Sequence, residues 1–116
     1  LDAGAVAAGA PPTVIGKFSS EHLPIREIAR ALGIYGREVG FYRDIAGPDG
    51  TGAGMRVPGC LYAAYDAESV GHTLLLEDMD GVIGDHVVGA TPEQAEQVVR
   101  WFAAFHAHWW EAPELD

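Results

Sequence analysis

The stretch TVIGKF, residues 13–18, decides the fold because it is an extended apolar run that carries a charge in its interior. Its β-branched and aromatic residues favour a strand, and Pro11 and Pro12 close off the chain before it. Alternation along a strand places Ile15 and Lys17 on the same face. An unpaired ammonium group is costly to bury, so Lys17 either extends its stem to water or meets an anion. This stretch alone leaves both alternatives open.

Composition predicts one small globular domain. The chain has 116 residues, of which 48% are hydrophobic, and this suffices for a single core. It carries 17 acidic and 7 basic side chains, so we expect neither a nucleic acid nor a membrane as a partner. The only cysteine, Cys60, has no partner for an internal disulfide, which fits a reducing compartment, and we expect a cytoplasmic location. The sequence does not predict the oligomeric state.

Periodicity and turn residues around the first strand predict an α+β fold. Ser19 or Ser20 is expected to cap the helix that follows the strand, and Gly33 to end it. The continuously apolar run 73–76 predicts a buried strand as the second member of a hairpin. The predicted elements are a flexible or truncated lead-in or strand remnant at 1–12, a strand at 13–18, helices at 21–32 and 34–46, a loop at 47–54, and an antiparallel hairpin of strands 57–67 and 72–79.

The last predicted helix has the clearest start signal in the chain. Thr91, Pro92 and Gln94 form a capping box with proline at the first helical position. At about 100° per residue the apolar side chains share one face: Ala95, Val98, Val99, Phe102, Ala103, Phe105, Trp109 and Trp110. We expect this face to dock on a large apolar surface, which the hairpin and the 34–46 helix supply in part. His106 is expected to be a hydrogen-bonded core histidine.

Glu38 poses the same problem for its helix as Lys17 does for its strand. On a helical wheel it lies in the middle of an apolar arc formed by Ile34, Phe41, Tyr42 and Ile45. Both charges are compensated if the helix packs on the sheet so that Glu38 meets Lys17. We therefore predict that the two groups lie within about 4 Å, the range of an ion pair, or are separated only by a displacement of the helix. A purely structural ion pair is one alternative.

Five segments, in this order, resemble a family of enzymes. They are VIGKF around Lys17, REVGFYRDI around Glu38, VPGCLYAAYD, LLLEDMDG and VVRWFAAFHAHWW. The chain resembles the aminoglycoside/choline phosphotransferase superfamily of protein-kinase-like small-molecule kinases, and within it the ecdysteroid-kinase-like or CHK kinase-like branch. The resemblance implies a kinase-like small lobe at 13–76, a hinge and linker at 77–90, the first large-lobe helix at 91–110 and a tail at 111–116.

The resemblance also implies a nucleotide site. Lys17 would hold the α- and β-phosphates of ATP, and Glu38 would position Lys17. The hinge would read the adenine edge through its backbone, and its acidic side chains need not touch the base. An acidic turn that merely ends the strand is the alternative for this hinge. The remaining implied contacts are an apolar wall at Ile15, the back of the pocket at Leu76, the carbonyl of Glu77 and the amide of Met79.

The catalytic parts of such a kinase are absent from these residues. We find no H-x-D-x-x-x-x-N catalytic loop, no later metal-binding aspartate and no glycine-rich phosphate loop. The resemblance places the catalytic loop beyond Asp116, so we expect a chain truncated at both ends, without catalytic residues or metal ligands and inactive alone. The intact protein would use ATP and Mg²⁺ to phosphorylate a hydroxyl of a small organic substrate. The alternative is a non-catalytic α+β binding or regulatory module, a degenerate kinase relative.

Overall fold

The computed structural model describes residues 2–52, 54–81, 84–85 and 87–113. The elements in chain order are helix α1 (Ala3–Ala7), strand β1 (Val14–Phe18), helices α2 (Leu23–Leu32) and α3 (Ile34–Gly40), a π-helical segment (Phe41–Ala46), strands β2 (Cys60–Asp66) and β3 (Gly71–Glu77), and helix α4 (Pro92–Trp109). The predicted α+β class is confirmed. The parts of the predicted lead-in, loop, linker and tail that fall on residues 1, 53, 82, 83, 86 and 114–116 lie outside the described residues.

The sheet has three antiparallel strands in the order β1-β3-β2. In the ladder between β1 and β3, Lys17 lies opposite Leu74 and Ile15 lies opposite Leu76. Residues that are directly opposite in an antiparallel pair point to the same face of the sheet. β2 joins the other edge of β3 with Ala63 opposite Leu74, and its register shifts between Cys60 and Tyr62. The predicted hairpin is therefore confirmed.

The core lies on one face of β3. His72, Leu74 and Leu76 are buried there, while the residues between them are half-buried. Val39 of α3 packs against Leu74 and Leu76 and is itself buried. Within the described ranges no helix packs on the opposite face. The predicted burial of the run 73–76 is confirmed for Leu74 and Leu76, whereas Thr73 and Leu75 are half-buried because one layer of helix covers this sheet.

The predicted helix 34–46 divides into two kinds of helix. After Gly40 the chain continues as a π-helix, in which hydrogen bonds span one residue more than in an α-helix. A wheel drawn at 100° per residue therefore misplaces the later side chains. The buried residues are Val39 and Ala46, whereas Ile34 is exposed. The predicted apolar arc is wrong at Ile34, which precedes the π-helix, whereas Tyr42 of that arc packs against the core and Glu38 lies next to the buried Val39.

Helix α2 ends as predicted but starts differently. Gly33 ends it in the left-handed conformation, with φ of 62°, which favours glycine. His22 occupies the N-cap position without a side-chain hydrogen bond. The predicted serine cap is wrong because both hydroxyls are used elsewhere: Ser20 Oγ accepts from the His22 amide, and Ser19 Oγ bonds to the start of β3. The outer face of α2 leaves Ile25, Ile28 and Leu32 exposed.

Helix α4 has its predicted start but not its predicted packing. Thr91 Oγ1 accepts from the Gln94 amide, and Gln94 Oε1 accepts from the Thr91 amide, so the capping box is confirmed. No described residue of α4 is buried. Its ring contact with the π segment joins Phe105 to Phe41 at 6.5 Å, and it makes no packing contact with the hairpin. The predicted hairpin support is therefore wrong.

The chain before β1 forms a single helical turn. Asp2 caps α1 by accepting the Ala5 amide hydrogen at 2.8 Å, so the strand-remnant alternative for residues 1–12 is wrong. α1 makes no packing contact with the described sheet. Across the described residues, no helix combines the length and the apolar character that crossing a bilayer requires.

Candidate functional site

The centre of the candidate site is an ion pair between Lys17 of β1 and Glu38 of α3. Lys17 Nζ donates to Glu38 Oε1 across 21 positions of sequence. β1 presents Lys17 on the face that carries Leu74, and α3 is anchored on that face by Val39. Since Glu38 immediately precedes Val39, the residue that seats the helix also brings the carboxylate over the strand. The predicted proximity of the two groups is confirmed.

The ion pair lies at the edge of the core and is accessible to solvent. The side chain of Lys17 is 45% exposed and that of Glu38 is 26% exposed. Ion pairs with this much access to water typically contribute only about 0–1 kcal/mol to stability. Part of the Lys17 side chain therefore remains accessible to a second anion. The arrangement can therefore hold a cation in a defined place while leaving it available to a ligand.

An apolar shelf adjoins the cation on the same sheet face. Ile15 lies two residues before Lys17 and directly opposite Leu76. Leu76 is 3% exposed and belongs to the core, whereas Ile15 is 45% exposed. The shelf thus has a rigid, buried base and an accessible edge. Its assignment to an adenine ring remains a prediction.

The segment after β3 is held by a side chain at the end of the strand. Glu77 accepts hydrogen bonds from the guanidinium of Arg56 and, at 2.9 Å, from the Gly59 amide. Its own amide donates to the Gly59 carbonyl at 2.8 Å. The hydrogen bond from Arg56, followed by that from Gly59, lowers the pKa of the Glu77 carboxyl. The sequence pattern did not single out Arg56, since it precedes β2 in a stretch without regular periodicity.

Met79 is placed where a ligand could reach its backbone. It lies two residues beyond β3 and is exposed. Within the described ranges, its amide hydrogen makes no hydrogen bond. A backbone amide without a partner among the described residues can donate to a ring nitrogen or a carbonyl oxygen of a ligand. The backbone roles of Glu77 and Met79 stay predictions.

A second group of polar side chains lies behind the ion pair, and sequence reasoning missed it. His72 is 6% exposed, and its ring stacks on Tyr35 of α3 with centroids 4.0 Å apart. Ser19, which follows β1, accepts the His72 amide hydrogen at 2.6 Å and lies 3.2 Å from its Nδ1. The signal that could have identified it is the register: pairing of β1 with β3 brings Ser19 to His72.

Other titratable groups of the chain are dispersed. Among the described residues, no group of three or more His, Cys, Asp or Glu side chains could hold a metal ion. His106 is exposed on α4, so the described residues do not form the core predicted around it. Cys60 packs against the core, and burial raises the pKa of its thiol. Burial likewise raises the pKa of the Tyr42 hydroxyl.

An apolar cleft also lies at some distance from these residues. It has a volume of about 560 Å³ and opens between the π segment and the end of α4. Its lining consists of Ile45, Phe105, His106, Trp109, Trp110 and Glu111. None of the six residues predicted to bind nucleotide contributes to it.

Comparison of the chain with models of protein families, with curated proteins and with solved structures gave no match. The kinase resemblance therefore depends on the five sequence segments alone.

Proposed function

We propose that this chain is the ATP-binding portion of a small-molecule kinase. In the intact protein, the γ-phosphoryl group of ATP would pass to a hydroxyl of a small organic substrate with the help of Mg²⁺. The observation that carries the proposal is the contact between Lys17 on a strand and Glu38 on a helix. These two residues were selected from the sequence as the phosphate ligand and its positioning partner, and they are the ones that meet.

The chemistry of the pair suits a polyphosphate. An ammonium group is a compact point charge with three donors, and it binds phosphate oxygens through charge-assisted hydrogen bonds. Glu38 would hold Lys17 in one direction before the ligand arrives, which reduces the entropy lost on binding. The half-exposed position of Lys17 leaves room for the phosphates.

The neighbouring residues supply a complementary surface for the base. Ile15 lies about 7 Å along the strand from Lys17, at roughly 3.3 Å per residue. It is on the side where β3 runs out into the segment 77–81. An adenine ring could therefore lie against Ile15 and Leu76, with its edge toward the backbone of Glu77 and Met79, while the phosphates extend to Lys17. In this proposal the chain binds and orients ATP, and the catalytic loop belongs to the rest of the protein.

The test is calorimetric titration of MgATP into the 116-residue chain and into Lys17→Met. Loss of a hydrogen bond to a charged group costs about 1.5–3 kcal/mol, which corresponds to roughly 10-fold to 150-fold weaker binding. Arg100→Met is the matched control, since it also removes one positive charge, from α4, where Arg100 pairs only with Glu96. It should leave the affinity unchanged.

Adenosine separates the two halves of the proposed site. Because adenosine lacks phosphates, Lys17→Met should not weaken its binding, whereas Ile15→Asp should weaken both ligands. A wild-type chain that binds neither MgATP nor adenosine at millimolar concentration would contradict the proposal. Equal losses of MgATP affinity in Lys17→Met and Arg100→Met would also contradict it.

The second candidate is a non-catalytic α+β binding or regulatory module. The observation in its favour is the solvent exposure of Lys17, because ion pairs of this kind also occur on surfaces that bind nothing. The coding sequence after Asp116 distinguishes the two. An H-x-D-x-x-x-x-N pattern followed by a further aspartate would favour the kinase, and a stop codon would favour the module.

A further inference from the structure

His72 connects the two elements that carry the ion pair. Its amide donates to Ser19 Oγ at 2.6 Å, and Ser19 Oγ also donates to the Val70 carbonyl at 3.0 Å. On its other side the imidazole ring stacks on Tyr35, with an angle of 15° between the ring planes. Ser19 directly follows β1, and Tyr35 belongs to α3. The ring is thus packed between the strand and the helix.

The positions of these contacts matter for the ion pair. Ser19 follows Lys17 by two residues, and Tyr35 precedes Glu38 by three, which is about one helical turn. A change in the spacing between Ser19 and Tyr35 would therefore change the spacing between Lys17 and Glu38. No other described ring stacks between β3 and α3.

We propose that His72 is a positioning residue that holds Lys17 and Glu38 in contact while its ring is neutral, and releases them when the ring is protonated. This inference concerns the geometry of the pair, and its consequence for ATP depends on the proposed function. In that case, protonation of His72 would weaken ATP binding.

The surroundings of His72 disfavour a positive charge on its ring in addition to that of Lys17. Lys17 from β1 and the phenol rings of Tyr35 from α3 and Tyr65 from β2 face it, and Glu38 from α3 is the nearby anion. Burial lowers the pKa of the His72 ring, Lys17 lowers it further, and Glu38 opposes both effects. The ring is therefore neutral at neutral pH. A protonated ring would repel Lys17 and compete with it for Glu38.

The second ring nitrogen of His72 also makes protonation of the ring unfavourable. His72 Nε2 is buried and has no hydrogen-bond partner among the described residues. A positively charged N–H in that position would lose its hydration without gaining an acceptor. Relief of this cost requires the ring to move toward water, and such a movement breaks its stack on Tyr35.

The test follows the ion pair directly by NMR in the full 116-residue chain. The readout is the nuclear Overhauser contact between the Lys17 Hε and Glu38 Hγ protons, recorded from about pH 8 downward until the His72 ring is protonated, because burial lowers the pKa of this ring from its ordinary value. The ring ¹³Cε1 shift of His72 reports its protonation in the same samples. We expect the contact to be lost in step with protonation of His72. Persistence of the contact after the ring is protonated would overturn the proposal.

Two variants separate charge from packing. His72→Phe keeps an aromatic ring for Tyr35 and the backbone bond to Ser19 but cannot be protonated, so it should retain the contact across the whole range. His72→Ala removes the ring and should lose the contact at every pH. His22→Phe, an exposed histidine at the start of α2, is the control and should behave as the wild type does. A wild-type pH profile in His72→Phe, or an intact contact in His72→Ala, would overturn the proposal.

ATP titrations on the same variants keep the two proposals apart. Because the phosphates of ATP titrate in this range too, wild type and His72→Phe are compared at each pH. We expect the dissociation constant of the wild type, divided by that of His72→Phe, to grow as pH falls. If no variant binds ATP but the contact follows the charge of His72, the nucleotide function fails and the positioning role stands.

Discussion

Lys17 of β1 lies directly opposite Leu74 of β3, whose side chain is fully buried. The one lysine of the chain is thus placed beside the middle of the hydrophobic core and reaches past its edge to Glu38. A cation in such a place contributes little to the core. We expect the fixed position of Lys17 to matter for ligand binding and not for stability, and mutations can separate these two roles.

Removal of the charge should barely change stability. Because the pair is half-exposed, Lys17→Met should change the free energy of unfolding by less than about 1 kcal/mol. Urea denaturation followed by far-UV circular dichroism measures this change. Glu38→Gln should give a similarly small effect. A loss of several kcal/mol in either variant would mean that the pair is a structural element of the core.

Truncation of Leu74, in contrast, should lower the stability strongly. Leu74→Ala leaves a cavity beside Val39 and Leu76, and changes of this kind in a core cost about 2–5 kcal/mol. Leu61→Ala on β2 is the matched control, since Leu61 is 52% exposed, and it should cost less than about 0.5 kcal/mol. Both are measured by urea denaturation. Equal costs for the two leucines would contradict the assignment of the core to one face of β3.

Gly50 should tolerate no side chain. Its φ is +69°, and a Cβ atom there would lie 2.0 Å from the carbonyl oxygen of Val57. Gly50→Ala must therefore move the loop away from Val57 and should lower the free energy of unfolding by more than about 1 kcal/mol. A Cβ at Gly84 would meet nothing within 4 Å, so Gly84→Ala is the control and should be nearly neutral. Thermal unfolding compares the two variants.

The carboxyl of Glu77 should titrate below its ordinary range. Its pKa is lowered chiefly by the hydrogen bond from Arg56, so the stability that this bond contributes is present above the ordinary carboxyl pKa and is lost as pH falls through the lowered value. A ¹³C titration of the Glu77 side chain should show a higher pKa in Arg56→Gln. Arg100→Gln should leave it unchanged. An identical Glu77 titration in wild type and Arg56→Gln would contradict the assigned contact.

The ion pair was predictable because two isolated charges on apolar faces have few acceptable arrangements. Lys17 and Glu38 each conflicted with their surroundings in the sequence, and one packing of helix on sheet resolved both conflicts. The capping box at Thr91 was predictable for a different reason, since it involves only neighbouring residues. A local rule therefore identified the helix cap, and charge compensation identified one contact between residues 21 positions apart.

Features that depend on register or helix type could not be predicted. The sequence does not reveal that β1 pairs with β3 so that Ser19 meets His72, and Ser19 therefore looked like a helix cap. Nor does it reveal that the helix changes to a π-helix after Gly40, so a wheel drawn at about 100° per residue does not place the buried Ala46. The apolar face of α4 predicted burial, but no described residue of this helix is buried, and the π segment meets it with Phe41 and an open cleft lined by Ile45.

The separation of α4 from the sheet has a consequence for how the molecule is observed. The three tryptophans, Trp101, Trp109 and Trp110, lie in or directly after this helix, and none is in the core around Leu74. Intrinsic tryptophan fluorescence will therefore respond to movements of α4 and will not report the unfolding of the three strands. An emission-detected transition that precedes the loss of backbone ellipticity would record this helix alone.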